Sequence, residues 1–207
     1  MNETHVHKVY ESIAVHFSDT RYNIWPCIAR FLDSLEAHSL VGDIGCGNGK
    51  NMLYRRDLEY IGCDITENLL LIAGERSKKD AVHASGISLP YRCDVFDAVM
   101  SVAVVHHLND IGDRQLFINE LVRCTQMGGA IIFTVWMLDQ PYKKKWQALG
   151  GGDFFIPWTD KSGITYNRFY HFFTKDEIFQ LIPANCELVS LSEEAYNYVV
   201  VMRKSGD

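Results

Sequence analysis

A glycine-rich turn and an acidic residue after the following strand form the most specific chemical pattern in the sequence. The segment DIGCGNGK spans residues 43–50 and places Gly45 and Gly47 in a GxGxG spacing. Glycine lets the backbone turn sharply, and it lets a ligand approach without a Cβ atom in between. Asp64 ends the next apolar run, where a carboxylate can accept both hydroxyls of a ribose. The pattern predicts a nucleoside-binding site.

The details of this turn distinguish one nucleoside cofactor from another. Pyrophosphate-binding turns use GxGxxG and leave a helix N-terminus free for the phosphates. Here the spacing is shorter and the acidic Asp43 precedes the glycines, which favours a ligand that carries positive charge and no phosphate. S-adenosyl-L-methionine has a cationic sulfonium, an amino-acid group and a ribose. We therefore predict S-adenosyl-L-methionine as the cofactor.

Around this turn, short apolar runs alternate with segments of helical periodicity. Helices are predicted for residues 5–17, from Pro26 to about His38, from Glu67, and for residues 113–125 and 175–181. Buried strands are predicted at residues 39–47, 58–64, 81–84, 95–105 and 128–138, and a closing hairpin at 186–192 and 195–204. The alternation predicts an α/β fold with a doubly wound, mostly parallel seven-stranded sheet and an antiparallel C-terminal hairpin. Ligands of such sheets bind beyond the carboxyl ends of the strands.

The same pattern predicts one domain over residues 1–207. Its expected parts are N-terminal helices at 1–39, a cofactor-binding core at 40–137, an insertion at 138–173, and a C-terminal helix and hairpin at 174–207. The insertion contains KKK, GGG and many aromatic residues without a clear period. We therefore expect a functional lid there rather than a passive connection.

Composition and charge exclude several classes of protein. Hydrophobic residues make up 47% of the chain, which argues against disorder. The net charge of −6 disfavours binding of nucleic acid over the whole surface, although it leaves room for a local basic patch. No apolar run is long enough to span a membrane. The cysteines lack CxxC spacing, so we expect reduced thiols, no metal site, and a place in the cytoplasm, with the nucleus as an alternative compartment.

The segments around the turn resemble the motifs of class I methyltransferases. DIGCGNG is similar to their first motif, and HASGISLPY resembles the stretch that flanks adenine, with Ser85 where that stretch usually carries an aspartate. FDAVMSVAVVHHL resembles the motif whose residues line the methionine side of the cofactor. The resemblance implies the following cofactor-binding residues: Asp43, Gly45, Gly47, Asp64, Ile65, Ser85, Gly86 and Val102.

The flanking segments resemble, more specifically, the eukaryotic tRNA wobble-uridine methyltransferases. In chain order these segments are YESIAVHFSDTRYNIWP, VAVVHH, VWMLDQ, DFFIPW and RFYHFF. Those enzymes methylate the carboxylate of 5-carboxymethyluridine in the tRNA anticodon loop and so form 5-methoxycarbonylmethyluridine. Animals carry a relative fused to an AlkB-like oxygenase, and we expect this chain to be the stand-alone form. The resemblance implies tRNA (uracil-5-carboxymethyl) O-methyltransferase activity.

The chemistry of that reaction suits the residues near these motifs. A carboxylate is already anionic at neutral pH, so it needs alignment with the methyl group and exclusion of water rather than a strong base. A guanidinium fork is the natural clamp for a carboxylate, and Arg21 and Arg168, together with His106, are predicted as catalytic residues. The residues expected to stack on or hydrogen-bond the base and ribose are Tyr22, His107, Trp136 and Tyr170. Lysines 143–145 are candidate phosphate contacts.

Each of these assignments has an alternative. Arg21 could pair with Asp19 or Asp33 at the surface, one of the two histidines could serve only to fix its loop, and the lysine run also fits a solvated lid face. A small-molecule methyltransferase acting on a quinone, lipid or metabolite would have the same core. A non-catalytic scaffold would keep the fold, and a related enzyme of ribosomal RNA or protein would share the activator.

The family resemblance also implies a partner, a small zinc-binding methyltransferase activator that forms a heterodimer through the edge of the sheet. The short strand predicted at residues 81–84 should lie at one edge, where unpaired backbone groups are open to another chain. Ile61 and Leu69 would be covered by that partner. We expect low solubility or activity without it.

Overall fold

The computed structural model describes residues 3–141, 145–160 and 162–206, with side chains from residue 6 onward. Its main strands are β1 (Leu40–Ile44), β2 (Glu59–Asp64), β3 (Asp80–His83), β4 (Phe96–Val102), β5 (Thr125–Trp136), β9 (Cys186–Glu194) and β10 (Asn197–Lys204). Within these described ranges they form a seven-stranded sheet in the order β3-β2-β1-β4-β5-β10-β9. Strands β1 to β5 are parallel, and β10 runs antiparallel to β5 and β9. The predicted doubly wound sheet with a closing hairpin is confirmed.

The helices match the predicted segments, with differences at several ends. They are α1 (Glu3–Asp19), α2 (Pro26–Asp33), α3 (Glu67–Ser77), α4 (Ile111–Cys124) and α5 (Lys175–Leu181). The prediction that α2 runs to about His38 is wrong, because the hydroxyl and amide of Ser34 both bond to Phe31 O and close the last turn. Helix α4 begins at Ile111, earlier than predicted, because the Asp110 carboxylate accepts hydrogen bonds from two amides of its first turn.

The main sheet is buried on both faces, as its continuous apolar strands predict. Neighbouring residues of β4 show this most clearly, since Val99 and Met100 are both fully buried and point to opposite sides. Val99 packs in the cluster that contains Phe117 of α4, whereas Met100 packs with Phe31 of α2. The two helical layers hold the strand ends rigidly, and the candidate site is built on those ends.

The insertion at 138–173 contains a second sheet, which the sequence pattern did not predict. Its strands β6 (Gln147–Gly150), β7 (Asp153–Thr159) and β8 (Thr165–His171) are antiparallel in that order. We call these three strands the lid sheet. The end of β8 is covered on both faces, so that Tyr170 and His171 are both 3% exposed. A strand buried on both faces has no alternating pattern, which explains why the periodicity was not visible.

The lid sheet is joined to the main sheet just after β8. The amide of Phe173 donates to Trp136 O at 2.9 Å, and Leu138 N donates to Phe173 O at the same distance. Because Trp136 ends β5, the lid sheet begins and ends at the carboxyl side of the main sheet. The lid therefore lies where ligands of this type of sheet bind.

Several properties bear on the class of protein. No helix within the described residues is both long and apolar enough to cross a membrane. All six cysteines are free thiols. In the same parts of the chain, no three or more side chains gather in a geometry that could hold a metal ion.

Candidate active site

The turn after β1 has a backbone geometry that only glycine tolerates at Gly45. Its φ angle is +79°, and a Cβ atom there would lie 2.2 Å from Cγ2 of Val104. The amides of Gly45 and Cys46 both donate to Cys63 O in β2, at 2.7 and 3.0 Å. The turn is therefore held against the end of β2. Its residues line the cavity at the carboxyl ends of β1 and β2.

Asp64, at the end of β2, aims its carboxylate at this turn. Oδ2 accepts a hydrogen bond from Gly47 N at 2.8 Å, and Oδ1 accepts one from Thr66 N at 2.9 Å. Burial raises the pKa of Asp64, while the amides of Thr66 and Gly47 act in the opposite direction. Each carboxylate oxygen has more than one acceptor position, so both can still accept a hydroxyl hydrogen from a ligand.

A cavity of about 180 Å³ opens at the carboxyl ends of β1, β2 and β4, and α1 forms its outer wall. Most of the predicted cofactor residues line it, namely Gly45, Gly47, Asp64, Ile65, Gly86 and Val102. At Gly47 an added Cβ would meet nothing within 4 Å, whereas at Gly86 it would lie 2.1 Å from Cε2 of Phe117. The cavity thus combines exposed backbone, a ribose-accepting carboxylate and apolar walls, which fits S-adenosyl-L-methionine.

Two predicted cofactor residues lie outside the cavity wall. Asp43 is completely buried, and neither carboxylate oxygen has a hydrogen-bond partner among the described residues. Burial and the charge of Asp64 raise the pKa of Asp43 to about 7, against a smaller opposing effect of the Asn51 amide, which lies outside hydrogen-bond geometry. Ser85 does not line the cavity, and its Oγ accepts a hydrogen bond from Ile87 N at 3.3 Å.

The two histidines after β4 occupy different positions. His107 lines the cavity, where its Nδ1 donates to Phe169 O at 2.9 Å and its Nε2 accepts from the Tyr10 hydroxyl at 2.9 Å. Burial lowers the pKa of His107 to about 3. His106 is 1% exposed and stacks on Tyr170 at 5.0 Å between ring centroids. Burial also lowers the pKa of His106, so both imidazoles are neutral at physiological pH.

The two predicted arginines lie on the ring of one tryptophan. The guanidinium carbon of Arg168 is 4.8 Å from the ring centroid of Trp158, and that of Arg21 is 5.8 Å from it. Arg168 is 6% exposed, its Nε has no partner among the described residues, and no carboxylate in those parts of the chain pairs with it. Burial lowers the pKa of Arg168, but the Tyr170 and Tyr10 hydroxyls outweigh it, so the shift is upward.

Arg21 is exposed and lines the cavity. Its Nη1 donates to the carbonyl and hydroxyl of Thr20, and the Asp33 carboxylate accepts from the Tyr54 hydroxyl. Both roles considered for Arg21, the carboxylate clamp and the surface ion pair, stay predictions.

Of the residues predicted to stack on or hydrogen-bond the base, His107 lines the cavity, and the other three do not. Tyr22 is 71% exposed next to Arg21. Trp136 and Tyr170 pack on each other, with ring centroids 4.7 Å apart, between the main sheet and the lid sheet. Lys143 and Lys144 lie outside the described residues, and Lys145 lies just before β6. These assignments stay predictions.

The sequence reasoning missed the contribution of α1. Val6, His7, Tyr10 and Phe17 line the cavity, and the Glu11 carboxylate accepts hydrogen bonds from the first amides of α3. The apolar periodicity of α1 indicated a buried face but not the surface it would cover. A tyrosine within that apolar face was the available signal, because a buried hydroxyl needs a partner.

Comparison with known proteins agrees with this geometry. The model of the methyltransferase domain family matches residues 42–133. A SAM-dependent methyltransferase from Methanosarcina mazei has the same fold, with a TM-score of 0.75, 18% identity, and coverage of 89% of this chain and 100% of that one. A chain from a complex of the Haloferax volcanii Trm112 methyltransferase activator gives a TM-score of 0.73 at 13% identity, covering 98% of both chains.

The fold and the cavity together define a class I S-adenosyl-L-methionine-dependent methyltransferase. Similarity to known proteins then identifies the family within this class. The tRNA (carboxymethyluridine(34)-5-O)-methyltransferase of Schizosaccharomyces pombe is 32% identical over 97% of this chain and 96% of its own length. The chain belongs to the tRNA (carboxymethyluridine(34)-5-O)-methyltransferase family. It spans only 23% of the Xenopus tropicalis relative alkbh8, at 45% identity, and 34% of the Arabidopsis thaliana relative, at 42% identity.

Proposed function

We propose that this protein transfers the methyl group of S-adenosyl-L-methionine to the carboxylate of 5-carboxymethyluridine at the wobble position of tRNA, giving 5-methoxycarbonylmethyluridine. The observation that carries the proposal is the near full-length match to the S. pombe relative of that name. The match includes the lid sheet and the core, and also α1, which forms one wall of the cavity.

The state of the histidines supports a carboxylate as the nucleophile. An amine or hydroxyl nucleophile needs a base to remove its proton, and the pKa of a useful base lies near the working pH. The pKa of His107 is about 3, and both of its ring nitrogens are already hydrogen-bonded. A carboxylate is ionised without help, so the site needs only to align it and exclude water.

The two arginines supply the groups that would orient this carboxylate. Arg168 is a buried cation without an acidic partner in the described part of the chain, so its guanidinium can pair with an incoming carboxylate. Arg21 reaches the same Trp158 ring from the cavity side. We place the substrate carboxylate between these guanidinium groups, with His106, Trp136 and Tyr170 behind them.

The cofactor is positioned by the strand ends. Asp64 would hold the ribose hydroxyls, and the Gly45–Gly47 backbone would face the amino-acid part. When bound, S-adenosyl-L-methionine supplies an electrophilic methyl group on a cationic sulfonium. The wall formed by Val6, Tyr10 and Phe17 of α1 excludes water from this side of the cavity.

A small zinc-binding activator is the proposed partner, and β3 is the proposed place of contact. Strand β3 pairs with β2 and ends the sheet, so its outer backbone groups are available to another chain. Leu69 cannot take part as expected, because it is 3% exposed and packs under α1. Leu71 of α3 is 63% exposed and is the better candidate for an apolar contact. The free thiols of this chain fit the cytoplasm.

The decisive experiment incubates the purified chain, with and without its co-expressed activator, with labelled S-adenosyl-L-methionine and tRNA that lacks the methyl ester. Nucleoside analysis should show 5-methoxycarbonylmethyluridine. Ester formation should depend little on pH between about 6 and 8, because the substrate carboxylate is ionised and the low pKa values of His106 and His107 keep both imidazoles neutral throughout this range. Label in a small metabolite, with none in tRNA, would point to the small-molecule alternative instead.

Arg21→Ala and Arg168→Gln test the residues assigned to the carboxylate. Each variant should lose turnover and keep its affinity for the cofactor, measured by calorimetry. Loss of cofactor affinity in Arg21→Ala would show that Arg21 serves the cofactor instead. Arg203→Gln, an exposed arginine on β10 at the opposite end of the sheet, is the control.

A further inference from the structure

Two cationic side chains form hydrogen bonds on either side of Arg21, one at the end of α1 and one in the segment that joins α1 to α2. Lys50, in the turn after β1, donates its Nζ to Asn23 O at 2.8 Å. Arg76, in the last turn of α3, donates Nη2 to Ser18 Oγ at 3.1 Å. Both contacts are with neutral oxygen atoms. The segment is thus fixed at the mouth of the cavity with a cation on each side of Arg21.

Among the described residues, the cations of this cluster have no acidic partner in ion-pair geometry. Arg21, Lys50 and Arg76 form no ion pair within the described parts of the chain. Burial and the charge of Arg21 lower the pKa of Lys50, against a smaller opposing effect of Asp43, which is the direction expected for a cation held near another cation. The chain as a whole carries a net charge of −6, so this cluster is a local exception that favours an anion.

Aromatic rings accompany these cations. The Tyr22 side chain is 71% exposed, and Lys50 Nζ lies 5.8 Å from the ring centroid of Trp25. Cations that alternate with accessible rings suit single-stranded nucleic acid, because the cations contact phosphates while bases stack on the rings. A free anion would use the cations but would leave the rings without a role.

We propose that Lys50 and Arg76 form a phosphate-binding rim that holds the sugar-phosphate backbone of a single-stranded RNA loop while one base enters the cavity. The rim contacts phosphates on either side of the nucleotide whose carboxylate lies at Arg21. The identity of the RNA as an anticodon loop rests on the proposed function. Phosphate contacts fix register without reading sequence, so the rim should act equally on loops of different sequence.

The test measures binding of a labelled anticodon stem-loop RNA to the full chain, purified with its activator, across about 50 to 200 mM KCl. Arg76→Gln and Lys50→Gln keep an N–H donor for the segment and remove the charge. The slope of log K against log salt concentration is negative, and each substitution should reduce its magnitude by about 0.7, the contribution of one single-strand phosphate contact. The same change should appear with an oligouridine of unrelated sequence. Arg203→Gln is the matched control and should leave the slope unchanged.

A measurement of cofactor affinity distinguishes phosphate binding at the rim from binding of the other anion available here, the carboxylate of S-adenosyl-L-methionine. Arg76 does not line the cavity, so Arg76→Gln should bind the cofactor as the unchanged protein does. Slopes equal to the control in both variants, or loss of cofactor affinity in place of RNA affinity, would overturn the proposal. Lys50 lines the cavity, so Lys50→Gln is measured at saturating cofactor, and its salt slope under that condition decides should Arg76→Gln lower the melting temperature.

Ester formation by the same preparations distinguishes this inference from the proposed function. Ester formation with unchanged salt slopes would reject the rim and retain the function. Altered slopes without any ester would retain the rim and reject the function.

Discussion

The hydroxyl of Tyr10 donates a hydrogen bond to Nε2 of His107 at 2.9 Å, across 97 positions of the chain. The other ring nitrogen of His107 donates to Phe169 O in β8. One imidazole therefore joins α1, the loop after β4 and the lid sheet. Because α1 and this loop also line the cavity, the cofactor wall and the lid are held by the same side chain.

Replacing Tyr10 by Phe should lower the free energy of unfolding by about 1 to 3 kcal/mol, because it leaves a buried acceptor without its donor. Urea denaturation of the two proteins measures the difference. Tyr54→Phe removes a hydroxyl that donates to the carboxylate of Asp33, which is exposed. This variant should lose much less stability. Equal losses in the two variants would contradict a special role for the Tyr10 contact.

Replacing Glu11 by Ala should loosen α1 from α3. The α3 N-cap residue, Thr66, forms no capping hydrogen bond with its side chain, and the Glu11 carboxylate accepts from Glu67 N and Asn68 N instead. Loss of such a cap costs about 0.5 to 2 kcal/mol, and cofactor affinity should fall because α1 forms one wall of the cavity. Hydrogen exchange of α1 and calorimetry measure the two effects. Glu75→Ala, on the exposed side of α3, should show neither.

Replacing Gly45 by alanine and replacing Gly74 by alanine should have opposite effects on the stability of the protein. At Gly45 the positive φ angle alone costs an alanine roughly 1 to 2 kcal/mol, and the overlap with Val104 adds to this, so both stability and cofactor binding should fall. Gly74 lies within α3 with open space around its Cα, and alanine there should stabilise the helix by about 0.5 to 1 kcal/mol. Thermal unfolding with and without S-adenosyl-L-methionine tests the pair. Similar effects at both sites would be inconsistent with this structure.

The buried carboxyl of Asp43 should make stability depend on pH. Its pKa is about 7 in the folded protein, against an ordinary value of 3.8, so the folded state binds this proton more tightly than the unfolded state does. The Asp43 contribution to stability therefore falls as pH rises from about 4 to about 7 and is level above that range. Asp43→Asn should be more stable than the unchanged protein at about pH 8 and similar near pH 4. Denaturation series at both pH values check this, and a less stable variant at about pH 8 would refute it.

The cofactor half of the site could be predicted from the sequence because its requirements are local. The left-handed turn needs glycine at Gly45, and a ribose needs an acid at the end of the following strand, where Asp64 lies. Buried parallel strands can also be recognised in the sequence, as short apolar runs between helical segments. These features depend on neighbours within a few residues, so their spacing along the chain preserves them.

The lid half could not be predicted in this way. The aromatic residues of β8 lost their alternation because that strand is covered on both faces. Only the folded chain decides that His107 is fully hydrogen-bonded while His106 is buried against Tyr170.

The sequence by itself determined the class of fold, the cofactor and the family, since glycine conformation, strand periodicity and motif order are properties of short segments. The tertiary structure alone decided which side chains meet, which titratable groups are desolvated, and which cations remain without an acidic partner. Contacts such as Tyr10–His107 and the shared Trp158 ring join residues far apart in the chain. Burial and electrostatic interactions depend on distance in space, which spacing in the sequence does not specify.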